Sequence, residues 1–245
     1  MNKKEKIIYL LTCTTEEIIK EAKALDSRGS LFAKNNSKTG GIIESKKIPG
    51  KNFKVKSQDI EIEGSCRQNC RGCYACRSCA YHWDTVLPTC IITQRLINEA
   101  PEIFKKLVIN NTLMERVFRF NESGDIETIE ELKLYNEIAK ARPHTQFLLY
   151  TENHDLADML TDKAENLMIR RSYWWDGSVS DANRILNDSA GRPSFIACAD
   201  VLEAKKTFKN VLICPCSFNS KEHKTTCSNC GNCFFCNNLI FEKIH

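Results

Sequence analysis

Six cysteines crowd the segment from Cys66 to Cys90, and the first three, Cys66, Cys70 and Cys73, are spaced C-x3-C-x2-C. No other feature restricts this chain so strongly. One short loop with that spacing offers three thiolates to a single cubane iron–sulfur cluster and leaves the fourth iron without a protein ligand, free to bind a small molecule. A structural zinc site instead fills all four positions with protein, and C-x2-C pairs recur in zinc ribbons. Taken alone, the loop leaves both metals open.

The rest of the composition bears on where such a loop can work. The chain has fourteen cysteines in 245 residues. The apolar run from Ile7 to Leu11 is too short for a signal peptide and soon meets Glu16 and Glu17. No stretch approaches the roughly 20 apolar residues that cross a bilayer, so no membrane partner is expected. Thiols in such a chain point to a reducing cytoplasm, where they serve as metal ligands more often than as disulfides. The net charge of +4 is mild, and it arises between Met1 and Ser65, where 13 basic residues stand against 9 acidic ones. This basic N-terminal segment is a candidate contact for nucleic acid, or simply a solvated face.

A second cysteine cluster closes the chain. Cys227, Cys230, Cys233 and Cys236 are spaced C-x2-C-x2-C-x2-C, with Cys214 and Cys216 upstream. Between the clusters, apolar strand-like runs alternate with helical periodicity. Strands are expected near Ile60 to Ile62, at 116–120, 146–151, 167–170, 195–198 and 211–214. Helices are expected from Thr128 to Ala141, with Thr128 as cap, and from His154 to Leu160. Alternation of this kind predicts parallel strands with right-handed crossovers, an α/β sheet or a partial barrel of about six units. Active sites then gather at the carboxyl ends of the strands. The first cysteine cluster and the turns at 121–125, 151–153 and 172–175 all fall at such ends.

In this order the pieces resemble a radical S-adenosylmethionine (radical SAM) core, with a cysteine loop after one strand, a polar glycine-containing turn after the next, and a partial (β/α)6 barrel around the cofactor. The chain resembles more closely the phage gene product 88 family, a group with little assigned biochemistry. The residues that carry this are Asn36-Ser-Lys-Thr-Gly40, Cys73-Tyr-Ala75, Arg119-Phe-Asn-Glu-Ser-Gly-Asp125, Tyr150-Thr-Glu152, Ser172-Tyr-Trp174 and Thr226-Cys-Ser-Asn-Cys-Gly-Asn-Cys233. Two features depart from the radical SAM pattern. Gly72 stands where an aromatic residue usually precedes the third cysteine, with Tyr74 one place beyond it, and Ser123-Gly124-Asp125 replaces a Gly-Glu-Pro turn.

The resemblance implies three segments: a basic extension over 1–57, an α/β core over 58–213 and a metal-binding tail over 214–245. It implies one to three four-iron–four-sulfur clusters, S-adenosylmethionine, an electron donor and a substrate it does not name. Cys66, Cys70 and Cys73 would hold the first cluster. Cys214, Cys227, Cys230 and Cys233 would hold an auxiliary cluster or a zinc ion, with Cys76, Cys79, Cys90 and Cys236 available for a further site. Gly124, Asp125, Ser172, Arg170 and Tyr74 are the candidate cofactor contacts. Asp125 has a plain alternative as the cap of the helix near Thr128, and Arg170 and Arg171 as surface arginines. Trp174 and Trp175 are either stacking platforms or core, and the histidines lack ligand spacing. The competing reading is a metal-stabilised module, holding zinc or an inert cluster, that binds nucleic acid or a protein partner.

Overall fold

The computed structural model describes residues 1–32, 34, 39–68, 73–209, 211–215 and 225–243. Cys70, Gly72, Cys216, His223 and His245 lie outside them. Seven parallel strands form one open sheet in the order β1-β4-β5-β6-β7-β9-β8. They are β1 (Ile43–Glu44), β4 (Val117–Phe120), β5 (Gln146–Thr151), β6 (Leu167–Trp174), β7 (Ser194–Cys198), β8 (Leu212–Ile213) and β9 (Leu239–Lys243). A separate antiparallel hairpin pairs β2 (Asn52–Val55) with β3 (Ile60–Glu63). The strand expected near Ile60 therefore exists but lies outside the parallel series. Its alternating burial, with Ile60 and Ile62 in and Glu61 and Glu63 out, suits a two-stranded ribbon.

Side chains alternate across the sheet, and one parity faces the helices. Phe118, Phe120, Phe147, Leu149 and Leu167 join one apolar core with α4 (Val86–Glu99), α5 (Pro101–Asn111) and α6 (Ile129–Ala141). Phe120 stacks on Tyr135 at 4.1 Å and on Phe147 at 5.3 Å. Further along the same face, Tyr173, Ile196, Cys198 and Phe241 pack with α8 (Val179–Ser189) and α9 (Val201–Thr207). Burying each large ring contributes roughly 2–3 kcal/mol.

The N-terminal segment, expected only as a basic extension, folds into α1 (Lys3–Thr12) and α2 (Thr15–Asp26), each opened by a capping box. The sequence signs were Asn2 with Glu5 and Thr14 with Glu17, a polar cap answered three residues on by a glutamate. Ile7, Leu10, Ile18 and Ala22 enter the main core. Lys3, Lys6 and Lys34 pair with Asp84, Glu21 and Glu115.

The opposite face of the sheet carries the second cysteine cluster. After β8 the chain crosses this face through α10 (Cys227–Cys230) and α11 (Asn232–Phe235), and returns as β9 between β7 and β8. Phe234 packs there against Ile42 and Leu148. The crossover steps backward along the sheet, so a right-handed connection must run over the face opposite α9. Handedness thus explains why the tail lies where the helices do not. No helix among the described residues is long and apolar enough to cross a membrane.

Candidate functional site

A cavity of about 360 Å³ opens at the carboxyl ends of the strands and extends under the tail. Cys66, Cys73, Tyr74, Gly124, Asp125 and Ser172 line it, joined by Cys214, Cys227 and Cys233. Nine of the residues singled out from sequence thus share one wall. The volume falls in the range of small-molecule sites.

Each is positioned by local chemistry. Cys66 follows the hairpin, where its N–H donates to Gly50 O at 3.1 Å and its Sγ accepts from Gly50 N at 3.2 Å. Cys73 is the residue before α3 (Tyr74–Tyr81), so its sulfur meets the helix amino end. The two thiols differ sharply as a result. Burial, reinforced by the Asp125 carboxylate, pushes Cys66 up to about 12. Hydrogen bonds from the Cys76 side chain and from the Cys76 and Ala75 backbone bring Cys73 down to about 6, against its own burial.

The 121–125 turn is held from behind. Lys47 is fully buried, and its Nζ donates to Glu131 Oε1 and Oε2 at 2.9 Å each, to Asp125 O at 2.8 Å and meets Glu127 Oε2 at 2.8 Å. Tyr135 Oη donates to Glu131 Oε1 at 2.5 Å. Gly124 has φ +79°, and a Cβ there would stand 2.3 Å from Ser65 Oγ and 2.7 Å from Lys47 Cβ. Only glycine fits this approach of the turn to Ser65 and Lys47.

Asp125 joins three segments. Its Oδ1 accepts from Ile126 N at 2.7 Å, its Oδ2 accepts from Glu152 N at 2.8 Å, and its own N–H donates to Ser65 Oγ at 3.2 Å. It does not cap the following helix. Thr128 does, accepting from Glu131 N at 3.1 Å. Burial outweighs these bonds and lifts the Asp125 carboxyl to about 6. Glu152 continues the chain of contacts, accepting from Trp174 Nε1 at 2.9 Å and from Gln68 Nε2 at 3.2 Å. Tyr74 Oη donates to Glu122, which also pairs with Lys46.

Several expectations are corrected. Ser172 to Trp174 belong to β6 itself rather than to a turn after it, because Tyr173 packs in the helix-face core while Ser172 and Trp174 face the cavity. Trp175 is core, edge-on to Phe208 at 5.4 Å. Arg170 is not a surface residue, and it is absent from the cavity lining. It sits mid-strand, fully buried, and its five N–H donors go to Cys233 O, Ser194 O, Asn238 O, Asn232 O and Cys236 O. Arg171 points to the helix side and pairs with Asp158 and Asp188. Cys79 lies away from the tail, in the core with Cys90, whose Sγ approaches Ser123 Oγ at 4.0 Å. Cys76 and Cys230 are half-buried and outside the cavity lining. Cys236 donates to Asn232 O at 2.9 Å beside Arg170. His154 bridges Asp188 Oδ2 and Ser172 O, a structural position as expected.

Among the described residues no three His, Cys, Asp or Glu side chains are grouped to hold an ion. The donor chemistry nevertheless suits thiolate ligation. Cys214, Cys233 and Cys236 pack in one group and Cys227 and Cys233 in another; burial raises the Cys233 thiol, opposed by a hydrogen bond with the Tyr150 side chain and then by the Arg170 and Arg119 guanidiniums. A metal held by these thiols would keep Cys233 as the thiolate that the neighbouring positive charge favours.

Arg119, Tyr150 and Glu152 also line the cavity and were not singled out as ligand contacts from the sequence. The signal was parity, since each alternates with core residues such as Phe118, Phe120 and Leu149. The model of one family, gene product 88, matches residues 22–238. The chain belongs to the gene product 88 family. No curated protein matches it, and no solved structure does. The match to the gene product 88 family spans both cysteine clusters and the cavity lining up to Cys233, and stops just short of β9.

Proposed function

We propose that this gene product 88 domain is an iron–sulfur enzyme of the radical SAM kind, with a cluster on the three-cysteine loop facing a ligand cavity. The observation that carries the reading is convergence. Cys66 and Cys73, the Gly124–Asp125 turn and Ser172 come from separate strand–helix units, yet line one cavity at the carboxyl ends of parallel strands. The longer helices pack against one face of the open sheet while the cavity and the tail occupy the other, the division that the outside and inside of a partial barrel would require.

Cys66, Cys70 and Cys73 would hold the cluster. Bound there, a cluster together with S-adenosylmethionine would supply one-electron reductive cleavage of a sulfonium carbon–sulfur bond. The chain's own residues do the rest. Gly124 lets backbone approach a ligand, Asp125 ties the cysteine loop to the 121–125 and 152 turns, and Tyr74 covers the rim through Glu122. Ser172 offers a hydroxyl from the cavity wall. Cys214, Cys227 and Cys233, with Cys230 and Cys236 nearby, would hold a second centre, an auxiliary cluster or zinc, and an external electron donor completes the cycle.

Anaerobically purified protein should be brown, carry iron and sulfide in matching amounts, show a reduced-cluster paramagnetic resonance signal, and release 5′-deoxyadenosine once reduced with S-adenosylmethionine. A C66A/C70A/C73A variant should lose that release and keep the tail metal. Colourless zinc protein, or a fully reconstituted cluster that leaves S-adenosylmethionine intact, would overturn the enzyme in favour of a metal-stabilised binding module.

A further inference from the structure

Two arginines rise from the cavity face of the sheet with β5 between them, and they are used in opposite ways. Arg170 spends every donor on carbonyls. Arg119 has its Nε buried without a hydrogen-bond partner among the described residues, and the contact described for its guanidinium is the face of Tyr150, 4.9 Å from the ring centroid. Stacking fixes the guanidinium plane and leaves its N–H edge unengaged.

The charge around Arg119 is balanced while its hydrogen-bonding capacity is not. Glu44 is its register neighbour on β1, and Glu122 lies nearby, held by Lys46 and Tyr74. Both act on Arg119 through space. Beside this guanidinium the wall is apolar, formed by Tyr150 edge-on to Phe195 at 5.0 Å, with Ala197 and Trp174. Leaving a guanidinium unsatisfied in such a place is costly unless a ligand arrives to use it.

We propose that Arg119 is the anion subsite of this cavity, taking the carboxylate or phosphate of a small organic ligand whose planar apolar body rests against Tyr150, Phe195 and Trp174. A guanidinium edge presents the paired donors that either oxyanion accepts in bidentate fashion. The subsite stands on the cavity wall and not on which metal the thiols hold. It and the radical chemistry therefore fail separately.

The test uses the full chain as purified, titrated by calorimetry with benzoate, phenyl phosphate and the neutral benzyl alcohol. At least one anion should bind roughly tenfold more tightly than the alcohol, and the stronger of the two identifies the head group. Arg119→Gln should lose that advantage, leave the alcohol unchanged, and keep the wild-type circular dichroism spectrum, with Arg119→Lys in between. On the unmutated protein, phenylglyoxal should modify Arg119 and spare Arg170, and saturating anion should slow the Arg119 reaction, read by peptide mass spectrometry. Equal affinity for anions and alcohol, unchanged anion binding in Arg119→Gln, or labelling of Arg119 indifferent to anion would each overturn the assignment.

Discussion

The two faces of the sheet are made from the same strands and are chemically unlike. Against the helices lie Phe118, Phe120, Phe147, Leu149 and Ile196, fully buried, with the three phenylalanine rings in mutual contact. One residue along each strand, facing the tail, come Arg119, Leu148, Tyr150, Arg170, Ser172, Trp174 and Phe195. Since strand side chains alternate with period two, parity alone separates the positions that stabilise the fold from those that equip it. Substitutions on the first face should cost stability and spare the cavity, and those on the second should do the reverse.

The largest expected effect tests the apolar face. Phe120→Ala removes a ring stacked between Tyr135 and Phe147, and should cost about 3–5 kcal/mol in denaturant unfolding. A loss under about 1 kcal/mol would break the comparison. Next comes Arg170→Met, the exception on the polar face, where five carbonyls lose their donors. It should cost about 3 kcal/mol and expose residues 225–238 to protease, while an unchanged digestion pattern would remove its role as the tail's clamp.

Asp125→Asn addresses pH. In metal-free protein the folded carboxyl is raised from its ordinary 3.8 to about 6, so the folded state holds the proton more tightly than the unfolded one. Its stabilising contribution is complete below about pH 4 and is lost as pH rises through about 6, a change of roughly 3 kcal/mol. Asparagine should flatten that slope in melts taken across the window, and a slope that persists would assign it elsewhere. Smallest is Trp174→Phe, which deletes the indole bond to Glu152 and should cost about 1 kcal/mol or less while altering ligand affinity in the cavity. A stability loss as large as that of Phe120→Ala would show that parity does not divide the two tasks.

How much of this was legible beforehand depended on whether a signal was local. Gln146 to Thr151 is a strand with the expected bounds, and Thr128 caps its helix as read, because apolar runs and caps are written within a few residues. The α/β class and the parallel order followed from the same alternation. Arg170 was misjudged because four of its five carbonyl partners lie more than sixty residues away, beyond any sequence window. The strand at Ile60 looked like a member of the parallel series, since nothing local distinguishes a ribbon strand from a sheet strand. Lys47 and Glu131, 84 residues apart, form their buried pair only once the turn is built.

The place of β9 between β7 and β8 sets an order of events during synthesis. Until residues 239–243 emerge from the ribosome, β7 is a raw edge and β8 has no neighbour to bond. The cysteine-bearing crossing must therefore be draped over the polar face before the last gap is filled. Because β9 directly follows the crossing, insertion of that strand and docking of Cys227 and Cys233 onto the sheet become a single step.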